Sequence, residues 1–136
     1  MPTRERRWVR VKPLAPNDKA AIDAVCRRFI AEILKPRFLP KIRPTRFNYP
    51  VDILGKWRDC KYSFITRYRS GFPDNAGEEF DVSFTRLDHL EECFTETRFD
   101  VMWRRHTGRW WLLRPSVTLE EALHLIETEP PLQPHI

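Results

Sequence analysis

Lysines and arginines interleaved with aromatic rings are the residues of this sequence whose types and spacing could do recognisable chemistry. Arg37, Lys41, Arg43 and Arg46 stand beside Phe38, Phe47 and Tyr49, and Lys56, Arg58 and Lys61 stand beside Trp57 and Tyr62. Phosphates are bound by Lys and Arg, and unstacked bases by exposed aromatic faces. The pattern nominates Arg37, Lys41, Arg43, Arg46, Lys56, Trp57 and Arg58 as a nucleic-acid-binding set, converging on one face with Trp57 exposed among the cations. Plain strand alternation competes with this, sending rings to a core and charges to water. Alternation is preferred for Phe47, Tyr62 and Phe64, while Trp57, in a Gly-Lys-Trp-Arg-Asp run, is balanced between the two. No established nucleic-acid-binding signature accompanies the patch.

Other chemistries are weaker. Asp59-Cys60-Lys61 has the Asp-x-Lys form in which a carboxylate holds a divalent cation and a lysine stabilises charge at a scissile phosphate, with Asp52 as a second carboxylate. Such tripeptides are common by chance, and ordinary surface charges at a strand start are the favoured reading. His89 and Cys93 fit one helical face and Cys60 could join them, but zinc sites use four convergent ligands and the close paired spacings are missing. His106 falls in a turn, His124 on a helix and His135 in the tail. Ser63, Ser70, Ser83 and Ser116 lack a Gly-framed elbow, and with only 4 glycines no phosphate-cradling loop can be drawn. No catalytic residue, metal ligand or cofactor is assigned. The sequence points to a non-enzymatic module binding nucleic acid or another acidic partner, with a small metal-dependent nuclease as an alternative.

A second surface comes from Arg98–Leu113, RFDVMWRRHTGRWWLL, which reads as a β-hairpin turning at Gly108. A two-residue loop mixes apolar and charged partners. A three-residue loop, His106-Thr107-Gly108, pairs Trp103 with Trp111 and Val101 with Leu113, gathering Phe99, Val101, Trp103, Trp111 and Leu113 on one face. A one-residue slip would turn the strand over, so the clean apolar face selects the second register. That face is expected to pack on a helix through Val25, Phe29 and Ile33. The opposite face carries Met102, Arg104, Trp110 and Leu112, with Arg104 stacked on Trp110. It is too apolar for plain solvent surface, so self-association as a homodimer, or an interaction with another protein, is the further alternative.

The elements that position these residues follow from periodicity. Ile22, Val25, Cys26, Phe29, Ile30, Ile33 and Leu34 form one helical stripe, so a long helix is expected from Asn17 or Asp18 to about Lys35, stopped by Pro36. Cys26 in that stripe reads as a small core residue. The proline-dense Pro36–Pro50 is extended. Phe47–Ile53 reads as an edge strand broken at Gly55, Cys60–Arg69 as a strong strand, and Phe80–Thr85 as another. Asp88–Cys93 could form one helical turn. Thr118 and Glu121 make a capping box for a last helix, Leu119 to about Thr128. Arg7–Val11 suits a short edge strand or arm within residues 1–15, and 129–136 a tail. The expected architecture is α+β: a long N-terminal helix, an antiparallel sheet of about four strands and a short C-terminal helix, in a single domain over 1–136.

With 136 residues, 41% hydrophobic and 32% charged, the chain can bury one core and is not disordered by composition. No apolar run approaches the ~20 residues of a membrane span, and the basic N-terminus lacks a signal peptide's apolar segment, so a cytoplasmic location is expected. Three cysteines, widely spaced, do not suggest a disulfide framework. The net charge of +5 is polarised: residues 1–72 hold 18 Lys and Arg against 6 Asp and Glu, and residues 73–136 hold 6 against 13. Either a basic binding face results, or the acidic half folds against the basic half and neutralises it; the second is slightly favoured.

Trp103, Arg104, Arg105, Gly108, Arg109 and Trp110, in a strand–turn–strand followed by a capped helix and a proline-containing tail, resemble a bacterial domain-of-unknown-function family, number 3024. The resemblance covers the last third of the chain, with a looser similarity in the helix, proline-rich segment and strand before it. It departs at the C-terminus, where LQPHI stands in place of a Gly/aromatic ending. It implies a fold and carries no activity with it.

Overall fold

The computed structural model describes residues 14–91 and 96–136. The expected Arg7–Val11 strand, and Cys93, lie outside them. The chain forms α1 (Pro16–Phe29), a π-helical turn (Ile30–Leu34), α2 (Lys35–Phe38), strands β1 (Asn48–Arg58), β2 (Lys61–Ser70), β3 (Glu79–His89), β4 (Phe99–Arg104) and β5 (Trp110–Val117), then α3 (Leu119–Thr128). The fold is α+β, with five strands in place of about four. They run in sequence order, each antiparallel to the next.

The strands run longer than expected because two breaking signals act differently in a sheet. Gly55 does not end β1. It sits across from the Tyr62–Phe64 stretch of β2, where a Cβ would meet the Tyr62 hydroxyl at 2.4 Å and its ring at 2.7 Å. Its missing side chain makes room for a fully buried tyrosine. Asp88 and His89, expected to start a helical turn, extend β3 and pair with Asp100 and Phe99. Pro50 is tolerated because β1 is an edge strand, and a register shift follows it between Pro50 and Asp52.

The hairpin turns as the clean apolar face requires. Trp103 pairs with Trp111, Arg104 with Trp110 and Met102 with Leu112, and Gly108 takes φ 85° after a turn closed by its N–H to the Arg105 carbonyl. Beyond Met102 the register shifts, so Val101 pairs with Arg114 and not with Leu113.

The helices lie on one face, and α1 packs chiefly on β1 and not on the hairpin. In a meander β4 and β5 are far from β1, and α1, which leads into β1, packs there. Trp57 Nε1 donates to the Lys19 carbonyl at 2.9 Å, and the Tyr62 hydroxyl to Asp23 Oδ1 at 2.7 Å. Val25 and Trp111, expected to meet in the core, are 44% and 46% exposed. Phe99 and Val101 are covered instead by α3, whose Ala122 and Ile126 share their cluster. Pro36 does not stop the helix. A proline inside a regular helix clashes with the carbonyl four residues back, and here the preceding turn is widened, with the Lys35 N–H reaching the Ile30 carbonyl. The Thr118 box forms as expected, Oγ1 accepting from Glu121 N at 3.2 Å and Glu121 Oε1 from Thr118 N at 2.9 Å.

Candidate functional site

Among the described residues no helix covers the other face of the sheet. Alternation along β1 turns Ile53, Gly55 and Trp57 inward and Lys56 and Arg58 outward. The register carries Lys56 across to Ser63, Arg86, Met102 and Leu112 as one row, beside Ile65 paired with Ser83 and Arg104 paired with Trp110. Lys56, Arg58 and Arg104 rim a cleft of about 190 Å³ whose floor includes Ser63, Ile65 and Ser83. Its one carboxylate among the described residues, Asp81, is already held by Arg67 through bonds of 2.8 and 3.1 Å, which keep its carboxyl below the ordinary aspartate range. No described carboxylate lies within 4 Å of the three rim cations. Low competing charge and two hydroxyls suit this cleft to an anion.

Arg86 extends the face. Asp88 holds its guanidinium through bonds of 2.7 and 2.9 Å, and it lies 4.7 Å from the Trp110 ring centroid. The cation on Trp110 is therefore Arg86 and not Arg104, because the cross-strand row aims Arg86 along the sheet while Arg104 turns to the cleft.

The expected binding set divides. Lys56 and Arg58 meet at the cleft. Arg37 instead reaches α3, donating to the Glu127 carbonyl at 3.4 Å with the Glu127 carboxylate at 3.9 Å. Lys41, Arg43 and Arg46 lie on the exposed connector before β1, Arg46 over the Phe47 ring at 5.3 Å. That connector and Arg58 are at opposite ends of an 11-residue strand, roughly 35 Å apart, so the six cations do not converge. Trp57 is not the exposed platform. It faces inward, half-buried, edge-on to Tyr62 at 5.3 Å. Of the hairpin set, Arg104 joins the cleft and Met102, Trp110 and Leu112 continue the same face, Leu112 being 51% exposed. Ser63, Ser83 and Arg86 are not singled out as binding residues by the sequence: Ser83 and Arg86 are of opposite parity and share a face only through the bulge at Phe84.

The Asp-x-Lys reading fails on geometry. Asp59 occupies the β1–β2 turn with φ 55°, whereas Asp52 lies seven residues back along β1, about 20 Å away, paired with Lys35 at 2.9 Å. The two carboxylates cannot share a metal ion. His89 is on a strand, so it has no helical-face relation to Cys93, and no group of three His, Cys, Asp or Glu among the described residues could hold a metal.

The charge halves meet in part: Arg67–Asp81, Arg69–Glu79 and Arg37–Glu127 join them. No helix among the described residues is long and apolar enough to cross a membrane.

In comparison with known proteins, the model of a family described as a domain of unknown function, DUF3024, matches residues 14–132, most of the chain and not only its last third. No curated protein and no solved structure matches it.

Proposed function

The chain belongs to the DUF3024 family, and from the geometry of its outer sheet face we propose that it is a non-enzymatic binding module for nucleic acid. One observation carries the reading: Lys56, Arg58 and Arg104, from β1 and β4, rim one cleft without a described carboxylate partner. The cleft is large enough for a phosphate group, with the Ser63 and Ser83 hydroxyls as further donors. The face continues beyond it to Lys61 and ends on Trp110 and Leu112, with Arg86 already neutralised by Asp88, so a chain of phosphates finds one more cation and a ring than a single small anion would use. An antiparallel sheet open on one side is a platform on which single-stranded nucleic acid can lie.

The test is an anisotropy titration of a labelled single-stranded oligonucleotide at low salt, comparing the wild type with Lys56→Ala/Arg58→Ala/Arg104→Ala. The reading expects saturable binding that weakens by about tenfold or more in the variant. Wild-type protein that fails to bind either RNA or DNA overturns it.

Self-association is a second reading, favoured by Leu112, 51% exposed on the edge strand β5, on the outer face that it shares with Met102 and Trp110. Exposed apolar edges are templates for pairing with another chain. Sedimentation of a monomer at high micromolar concentration removes this reading.

A further inference from the structure

The inner face of the sheet is only partly covered. The tail after α3 crosses it, with the Thr85 hydroxyl donating to the Leu132 carbonyl at 2.7 Å, and Leu132 buried. Between that tail and the hairpin loop lies a second cleft, of about 600 Å³, within the roughly 300–1,000 Å³ range of small-molecule sites. Its floor is made by Tyr68, Val82, Phe84 and Trp103. The floor has a structural cause. The β2–β3 register shifts between Phe64 and Ile65, leaving Phe84 as an extra residue on β3, and it tilts against Phe64 in the core. Phe80 stacks on Tyr68 at 5.5 Å and 17°, holding that ring.

The rim is basic. Arg104, Arg105 and His106 come from the hairpin and His135 from the tail, and no described carboxylate lines the cleft. Arg105 is placed by two rings and the turn: its guanidinium lies 5.7 Å from the Trp103 ring centroid and 5.0 Å from that of Trp111, and its backbone N–H donates to the Arg109 carbonyl at 2.9 Å. A guanidinium resting on two neighbouring rings can still offer its edge to a carboxylate and loses little freedom on binding.

We propose that this cleft binds a small aromatic carboxylate, its rings on Tyr68, Phe84 and Trp103 and its acid group on Arg105, with His106 and His135 beside it. Neither half of the ligand suffices. A neutral arene leaves the basic rim unanswered, and an inorganic anion leaves the apolar floor wet. The site opens on the sheet face opposite the Lys56 cleft, with Arg104 and Ser83 lining both.

The experiment is calorimetric titration of the full chain with 2-naphthoate, 2-naphthylmethanol and decanoate, with two-dimensional NMR of the same mixtures. One 2-naphthoate per chain should bind about tenfold tighter than the alcohol, the size of one charge-assisted hydrogen bond. The Trp103 indole signal should shift. Arg105→Ala should remove the preference for the acid while leaving the alcohol's affinity unchanged, which a merely unfolded variant would not do. Val82→Trp should block both probes without altering oligonucleotide binding. The proposal is overturned by the absence of saturable binding in the millimolar range, by equal affinity for acid and alcohol, by decanoate binding where 2-naphthoate does not, or by shifts that spare Trp103. All four of these results are read on the wild type and stand even if a variant does not fold.

Discussion

Replacing Gly55 by alanine perturbs this structure at its tightest point. The added Cβ falls 2.4 Å from the Tyr62 hydroxyl and 2.7 and 2.8 Å from its ring carbons, so something must move. Tyr62 has no free direction: it is fully buried, edge-on to Trp57 and Phe64, and its hydroxyl donates to Asp23 at 2.7 Å. Overpacking costs about 1–3 kcal/mol, and a lost hydrogen bond to a charged acceptor about 1.5–3 kcal/mol. The reduced freedom of the unfolded chain returns roughly 0.4–1 kcal/mol. The net expectation for Gly55→Ala is a loss of about 2–4 kcal/mol, read as a lowered urea midpoint at unchanged slope. In a Tyr62→Phe background the closest atom is absent and the hydrogen bond already gone, so the same substitution should cost measurably less. A loss below about 0.5 kcal/mol, or strict additivity of the two substitutions, would refute the reasoning.

Gly108→Ala should cost about 1–2 kcal/mol through backbone strain alone, since φ is 85° and the nearest atom to a new Cβ, Arg104 Nη2, is 3.7 Å away; an unchanged melting midpoint would contradict it. Cys26 is fully buried, and burial first, with Asp23 second, pushes its thiol up to about 12, so native protein at pH 8 should label with a thiol reagent at half-buried Cys60 before Cys26. Peptide mapping that finds both labelled at one rate would sink this. The Asp81 carboxyl is held below its ordinary range, chiefly by the Arg67 hydrogen bond, so its contribution is present above the unfolded value and lost as pH falls through the folded one. Urea midpoints between pH 6 and pH 2 should therefore fall less steeply for Asp81→Asn than for the wild type; parallel curves would remove the coupling.

What could be read in the sequence was local and periodic. The capping box at Thr118, the α3 limits and the three-residue hairpin loop depend on a few neighbouring residues, and they stand as expected. What depended on distant strands did not show. Gly55 looks like a break until Tyr62 is placed across from it, and Val25 looks like core until the meander sets α1 over β1, which leaves Val25 44% exposed. The same holds for the site. Spacing along the chain grouped Lys41, Arg43 and Arg46 with Lys56, because it cannot see that a straight strand separates them. Arg104 is far from Lys56 in sequence and faces the same cleft only through the strands between them. Strand parity held the missing clue for Trp57, since a residue between two outward cations must point inward.

The measurement closest to the central claim is the salt dependence of single-stranded oligonucleotide binding, for the wild type and for Lys56→Ala/Arg58→Ala/Arg104→Ala. Each phosphate neutralised on a single strand contributes about 0.7 to the slope of log K against log salt, so removing three cations should flatten it by about 2. Lys41→Ala/Arg43→Ala/Arg46→Ala, on the distant connector, should leave the slope nearly unchanged. A slope that survives loss of the cleft cations, or falls only with the connector variant, would contradict the account.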